Sequence, residues 1–200
     1  MADDALEYPL RSRIDSIDED QALVAAARHD TQAAGRLYDK YNNEVLRYIY
    51  HCTLDATVAE DLTSNVFLAA FGHLARYRWR QVSFFRAWLY RIATNEVRMH
   101  WRRQKRVKVV SLQPDGVYQE PDPSAGDSTV AAEQYRLLHK ALLELRPKHR
   151  TVIILRYFED KAIEEICEIT GTKEGTVKSQ LHRGLARLQD ILVRWGVSLE

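Results

Sequence analysis

The sequence predicts an all-α protein of two small helical domains joined by a flexible acidic linker, the second domain containing a helix-turn-helix. Three observations carry this. Apolar residues recur at three- and four-residue spacing along most of the chain, the period of a buried helix face. That pattern stops between residues 109 and 128, where Pro114, Gly116, Pro121, Pro123 and Gly126 stand among four acids and no base. Ala162 to Leu188 then reads as a short striped helix, a Gly-containing turn and a second helix with a polar, basic outer face. Such a pair can lay its second helix in a DNA major groove. The expected divisions are an acidic tail over 1–19, a first domain over 20–108, the linker over 109–128 and a second domain over 129–196.

Within the first domain, Leu23, Ala27, Leu37, Tyr41, Val45 and Ile49 form a stripe, and His29-Asp30 marks a break between two helices. Leu62, Val66 and Ala70 repeat the pattern, with Asp55 or Thr57 available as an N-cap. A long helix is expected from Ser83 to Arg106, with Phe85, Trp88, Leu89 and Ile92 as its buried face. In the second domain, Leu137, Leu138, Ala141, Leu142 and Leu145 build a helix that must end before Pro147. Val152, Ile153, Leu155, Tyr157 and Phe158 build the next.

In 200 residues the apolar fraction is 46% and the charged fraction 28%, the composition of an ordinary globular protein. No apolar run is long enough for a membrane span, and the N-terminus has no signal-peptide core. The cytoplasm is the expected compartment. Cys52 and Cys167 lie far apart within helical patterns, and Cys167 is expected as a core thiol. The formal net charge of +1 conceals segregation: residues 1–20 carry seven acids and two arginines, while residues 76–108 carry eleven Lys or Arg and one acid.

In the C-terminal motif, Ile163, Ile166 and Ile169 stripe the first helix. Gly171 supplies the turn and Thr172 a cap. Val177, Leu181, Leu185 and Leu188 are expected to face inward on the second helix. Lys173, Glu174 and Thr176 would enter the groove first, with Ser179, Gln180 and Arg183 further along and His182 on the outer face. Arg183 suits bidentate contact with guanine and Gln180 suits adenine. Lys178 and Arg187 suit phosphates, which fix position without reading sequence.

Arg91, Asn95, Arg98 and Arg102 follow spacings of four, three and four, forming one ridge away from the Phe85-Leu89-Ile92 stripe. Arg103 extends the positive field. Before this helix, Tyr77, Trp79 and Phe84 alternate with Arg76, Arg78 and Arg80. Rings among arginines suit the unstacked bases of a single strand. No P-loop, CxxC, HExxH or GxSxG occurs, and the seven histidines lack metal-ligand spacing, so neither enzymatic activity, a metal nor a cofactor is expected.

Three stretches together resemble the bacterial sigma-70 superfamily of RNA polymerase sigma factors, in its extracytoplasmic-function (ECF) group: AEDLTSNVFLAAF (59–71), SFFRAWLYRIATNEVRMHWRRQKR (83–106) and LRPKHRTVIILRYFEDKAIEEICEITGTKEGTVKSQLHRGLARL (145–188). The resemblance implies that Asp61, Thr63, Asn65 and Phe67 lie on the helix that docks the clamp helices of core RNA polymerase. It places Arg76, Arg78, Trp79, Arg80, Arg91, Asn95, Arg98, Arg102 and Arg103 at the −10 promoter element. Lys173, Glu174, Thr176, Lys178, Ser179, Gln180, His182, Arg183 and Arg187 fall at the −35 element. The partners implied are core polymerase, promoter DNA as duplex and as melted non-template strand, and an anti-sigma protein. A different class, a stand-alone regulator with an N-terminal dimerisation or sensor domain, would use the same C-terminal motif but would have no use for a single-strand site.

Overall fold

The computed structural model describes residues 19–77, 85–110 and 130–197, apart from the side chains at 105, 107–110 and 130–132. The regular structure among the described residues is helical: α1 (19–26), α2 (Thr31–Thr53), α3 (Ala56–His73), a 3-10 turn (Leu74–Arg76), α4 (Phe85–Val110), α5 (Val130–Glu144), α6 (Pro147–Ile153) continued by a π turn (Ile154–Phe158), α7 (Ile163–Thr170) and α8 (Glu174–Arg194). Helix α4 continues through residues 109 and 110, into the stretch read as linker.

Local chemistry sets the breaks. Asp30 is extended, and its carboxylate accepts from the Gln32 amide at 2.8 Å, starting α2. Leu54 closes α2 in the left-handed region at φ 56°. Asp55 then caps α3, accepting from the Val58 amide at 3.0 Å. Each cap stabilises its helix by about 1 kcal/mol. Pro147 opens α6, where its missing amide hydrogen costs nothing.

Helices α2, α3 and α4 form the first block around Leu37, Tyr41, Val45, Tyr48, Ile49, Leu62, Val66, Phe85, Leu89 and Tyr90, all buried. The Tyr48 hydroxyl shares a hydrogen bond with Thr94 Oγ1 at 2.9 Å, so its burial leaves no orphan polar group. Asp20, one of the acids counted with the N-terminal charge, instead turns inward on α1 to meet Lys40 and the Tyr41 hydroxyl.

The second block packs α5, α6, α7 and α8 around Leu142, Ile153, Ile154, Leu155, Ile166, Val177 and Ile191. A Cβ on Gly184 would stand 2.9 Å from Ile153 Cδ1 and 3.1 Å from His149 Cβ, so α6 and α8 approach at a separation that glycine permits. Gly184 thereby takes the inward position expected for Leu185, which turns outward with 38% of its surface exposed. Tyr157, expected in the core, is likewise 59% exposed, because the π turn shifts the helix phase at its end.

The blocks fold against one another. Glu159, at the end of the π turn, has no solvent exposure at its carboxylate and receives Arg47 Nη2 at 2.9 Å and Arg47 Nε at 3.3 Å. The Tyr90 hydroxyl donates to the same carboxylate at 2.8 Å. Arg150 enters from the second block and donates to the Cys52 carbonyl at the C-terminal end of α2, at 3.3 Å. A cation suits that end of the helix dipole. Its guanidinium lies 5.1 Å from the centre of the Trp101 ring of α4.

Candidate nucleic-acid interface

On α8, Thr176, Ser179, Gln180, Arg183 and Arg187 fall on one side of the helix, and Glu174, Lys178 and His182 on the other flank. Val177, Leu181, Gly184 and Leu188 hold the inner face against the block, which leaves both outer flanks accessible. The helix begins at Glu174, one residue later than a Thr172 cap would give. Lys173 is the N-cap residue without a side-chain cap bond, and the Thr172 hydroxyl pairs with that of Thr170 at 2.8 Å. Gly171, at φ 68°, makes the turn as its sequence position predicts.

The polar groups of α8 are folded along the helix. Lys178 Nζ lies 2.6 Å from Glu174 Oε1, and Arg187 Nη1 lies 3.6 Å from Asp190 Oδ2. Arg183 donates to the Ser179 carbonyl at 3.2 Å and to its hydroxyl at 3.1 Å. The Lys178 hydrogen bond holds the Glu174 carboxyl below its usual range, while Glu174 raises the Lys178 ammonium. All of these pairs are exposed, so water and salt screen them and a phosphate or base edge can replace them at little cost.

On α4 the predicted ridge is present. Asn95, Arg102 and Arg103 are exposed, Arg98 is half-buried, and none of the four forms an ion pair among the described residues. Arg91 differs. Its Nη2 crosses to the second block and donates to the Glu168 carbonyl, near the end of α7, at 2.6 Å. Arg76 is exposed in the 3-10 turn. Tyr77, expected among the rings available to a base, is 8% exposed and packs at 4.6 Å on Trp88 and 5.8 Å on Phe85. Arg28 Nη2 donates to its carbonyl at 2.7 Å, a contact no spacing announced. Arg78, Trp79, Arg80 and Phe84 lie outside the described residues.

On α3, Asp61 and Asn65 stand one turn apart on an exposed face with Ser64 and the 72%-exposed Leu68. Thr63 and Phe67 do not share it. Thr63 is buried and returns its hydroxyl hydrogen to the Ala59 carbonyl at 2.7 Å, and Phe67 is 3% exposed against Tyr38, at 4.8 Å between ring centres. Leu68 is the residue that sequence reasoning passed over. Its apolar side chain beside the two polar ones gives this face a mixed character suited to protein contact.

The described architecture has known counterparts. Residues 37–107 match the family described as Sigma-70 region 2, and residues 135–188 match Sigma-70, region 4. The chain is 33% identical over 158 residues to the RNA polymerase sigma factor YlaC of Bacillus subtilis, covering 76% of this chain and 87% of YlaC. It belongs to the ECF group of sigma-70 family RNA polymerase sigma factors. SigL of Mycobacterium tuberculosis, an ECF factor, is 32% identical, with 88% of this chain and 98% of SigL covered. BldN of Streptomyces coelicolor, also an ECF factor, is 30% identical over 86% of this chain, which spans 65% of BldN's length. In fold, this sigma factor is similar to CnrH in complex with the cytosolic domain of CnrY, with a TM-score of 0.65, 21% identity, and coverage of 88% of this chain and 97% of CnrH. It is also similar to the sigma factor RpoE in complex with the anti-sigma factor NepR from Bartonella quintana, with a TM-score of 0.61, 23% identity, and coverage of 79% and 95%. Region 2 thus takes in α4 and its ridge, and region 4 the helix-turn-helix.

Proposed function

We propose that the chain is a dissociable initiation subunit that binds core RNA polymerase, directs it to specific promoters and helps hold the −10 region open. The observation that carries this reading is the pairing, in one sigma-family chain, of an arginine ridge without acidic partners among the described residues and a separate reader helix. Asn95, Arg98, Arg102 and Arg103 offer bare charge and hydrogen bonds to a strand backbone, while Thr176, Ser179, Gln180 and Arg183 offer donors and acceptors to base edges in the −35 major groove. Lys173, Glu174, Lys178, His182 and Arg187 line the same helix and seat it on the duplex. The chain itself supplies binding and base capture, and nucleotide addition belongs to the polymerase. Arg76, Arg78, Trp79 and Arg80 extend the −10 contact in this reading.

Core polymerase docks on the Asp61-Asn65 face of α3, with Thr63 and Phe67 shaping that face from beneath. An anti-sigma protein is a further partner; the Bartonella quintana factor of similar fold is held by one. No described helix is long and apolar enough to cross a membrane, and the proposed compartment is the cytoplasm.

Runoff transcription with core polymerase across a library of promoters tests the reading. Specific transcripts from a subset are expected, and their complete absence with folded protein would sink it. Asp61→Lys should lower core affinity by at least about tenfold with the helical melting curve unchanged. An unaltered affinity removes Asp61 from the docking face.

A further inference from the structure

Two promoter elements require two domains that can stand apart, yet in the free chain the blocks are clasped. The centre of the clasp is ionic. The Glu159 carboxylate is removed from solvent, and the groups that hydrogen-bond it, Arg47 and Tyr90, all belong to the other block. Beside it the buried Lys161 ammonium lies 4.6 Å from the centre of the Tyr90 ring. Arg47 keeps about half of its surface in water. When the blocks part, Glu159 therefore regains hydration and Arg47 gives up little. A buried carboxylate whose hydrogen bonds, among the described residues, come from across an interface is a two-state element whose balance a third partner can tip.

The clasp also reaches the nucleic-acid surface. Arg91, the first residue of the α4 ridge, donates to the Glu168 carbonyl of α7 at 2.6 Å. Its Nη2 lies 3.9 Å from where a Cβ on Gly171 would sit, directly under the turn that leads into the reader helix. Closure thus places α7 and the helix-turn-helix turn over the start of the ridge.

We propose that Glu159 is the latch of a self-closed state of the free chain, in which the C-terminal block occupies Arg91 and keeps a DNA strand off the beginning of the α4 ridge. The exclusion of DNA rests on the reading of that ridge as strand-binding. The latch does not.

The test uses the full chain with a fluorophore pair at Gln32→Cys and Gln189→Cys, both exposed, in a Cys167→Ser background; Cys52 is buried. Energy transfer reports the distance between blocks, and titration with a single-stranded oligonucleotide reports strand affinity. The parent should show one short-distance population. Glu159→Gln and Arg47→Met should each raise the open-to-closed ratio by at least about tenfold, and the double variant should move little beyond the stronger single one. Arg47→Met guards against a folding defect, since the side chain it replaces is half exposed. Strand affinity should rise with opening. An open parent, or unchanged distances in both single variants, overturns the latch. Open variants with unchanged strand affinity overturn the exclusion. Absence of strand binding in every variant falls on the reading of the ridge, while the distances still decide the latch.

Discussion

The two proposed nucleic-acid surfaces manage their charge in opposite ways. On α8, Lys178 and Arg187 are matched by Glu174 and Asp190 of the same helix, and Arg183 is bonded to Ser179 one turn back. On α4, Arg98, Arg102 and Arg103 have no acidic partner among the described residues, and Arg91 finds its partner on the other block. A helix that neutralises itself loses long-range attraction and gains discrimination, because each pair is exchanged only where a base edge or phosphate offers better geometry. A bare ridge attracts any strand by counterion release, whatever its sequence. In the proposed function, the division of labour between reader and holder follows from where the acids stand, more than from the number of basic residues.

Removing one arginine from each surface separates these behaviours. Arg183→Ala should have the larger effect, costing about 1–3 kcal/mol on the preferred −35 sequence and relaxing preference at one position. Selection from a randomised duplex by holoenzyme checks this, and recovery of the parental −35 sequence would remove Arg183 from base readout. Arg102→Ala should weaken binding to all sequences alike, by about 1 kcal/mol, and reduce the salt slope by about 0.7 for a single strand. A sequence-dependent loss from Arg102→Ala would erase the contrast between the two helices.

Features that depend on neighbours in sequence were legible, apart from the Thr172 cap, whose hydroxyl pairs with Thr170 instead. Asp30, Asp55, Pro147 and Gly171 act through the backbone within three residues, and each sits where its chemistry predicts. Features that depend on a third helix were not. Phe67 and Leu68 are both apolar and about 100° apart on α3, yet one is 3% and the other 72% exposed, because α2 lays Tyr38 over the first. Leu185 lost its inward place to Gly184 because α6 comes too close for a side chain, a distance no periodicity contains. On the site, the α4 ridge and the outer residues of α8 followed from spacing alone. Glu159 did not stand out, since the acid pair Glu159-Asp160 in a helix-ending turn looks like ordinary surface. Its meaning comes from Arg47, more than a hundred residues away.

The clasp contains a second polar element that distinguishes the blocks by pH. His51 of α2 stacks on His139 of α5 at 5.1 Å between ring centres, with Phe158 at 4.9 Å and 5.0 Å from the two rings. Tyr135 packs at 4.2 Å on His139. Burial, reinforced by the neighbouring His51, lowers the His139 imidazole to about 4. Burial lowers His51 too, Glu159 opposes the shift and Arg47 adds to it. Both rings are thus held neutral in the closed chain, whereas an opened chain lets them take up protons near their ordinary range. The closed state keeps its full stability above about pH 6.5 and loses it progressively as the pH falls toward about 4. Near pH 6 the loss from His139 is under about 1 kcal/mol, the smallest of these effects, but it adds to any weakening of the latch. Energy transfer between the blocks should therefore fall from pH 7.5 to 6, and more steeply in Arg47→Met than in the parent. A transfer efficiency that holds constant over that interval in both proteins would show that the histidine stack does not contribute to the clasp.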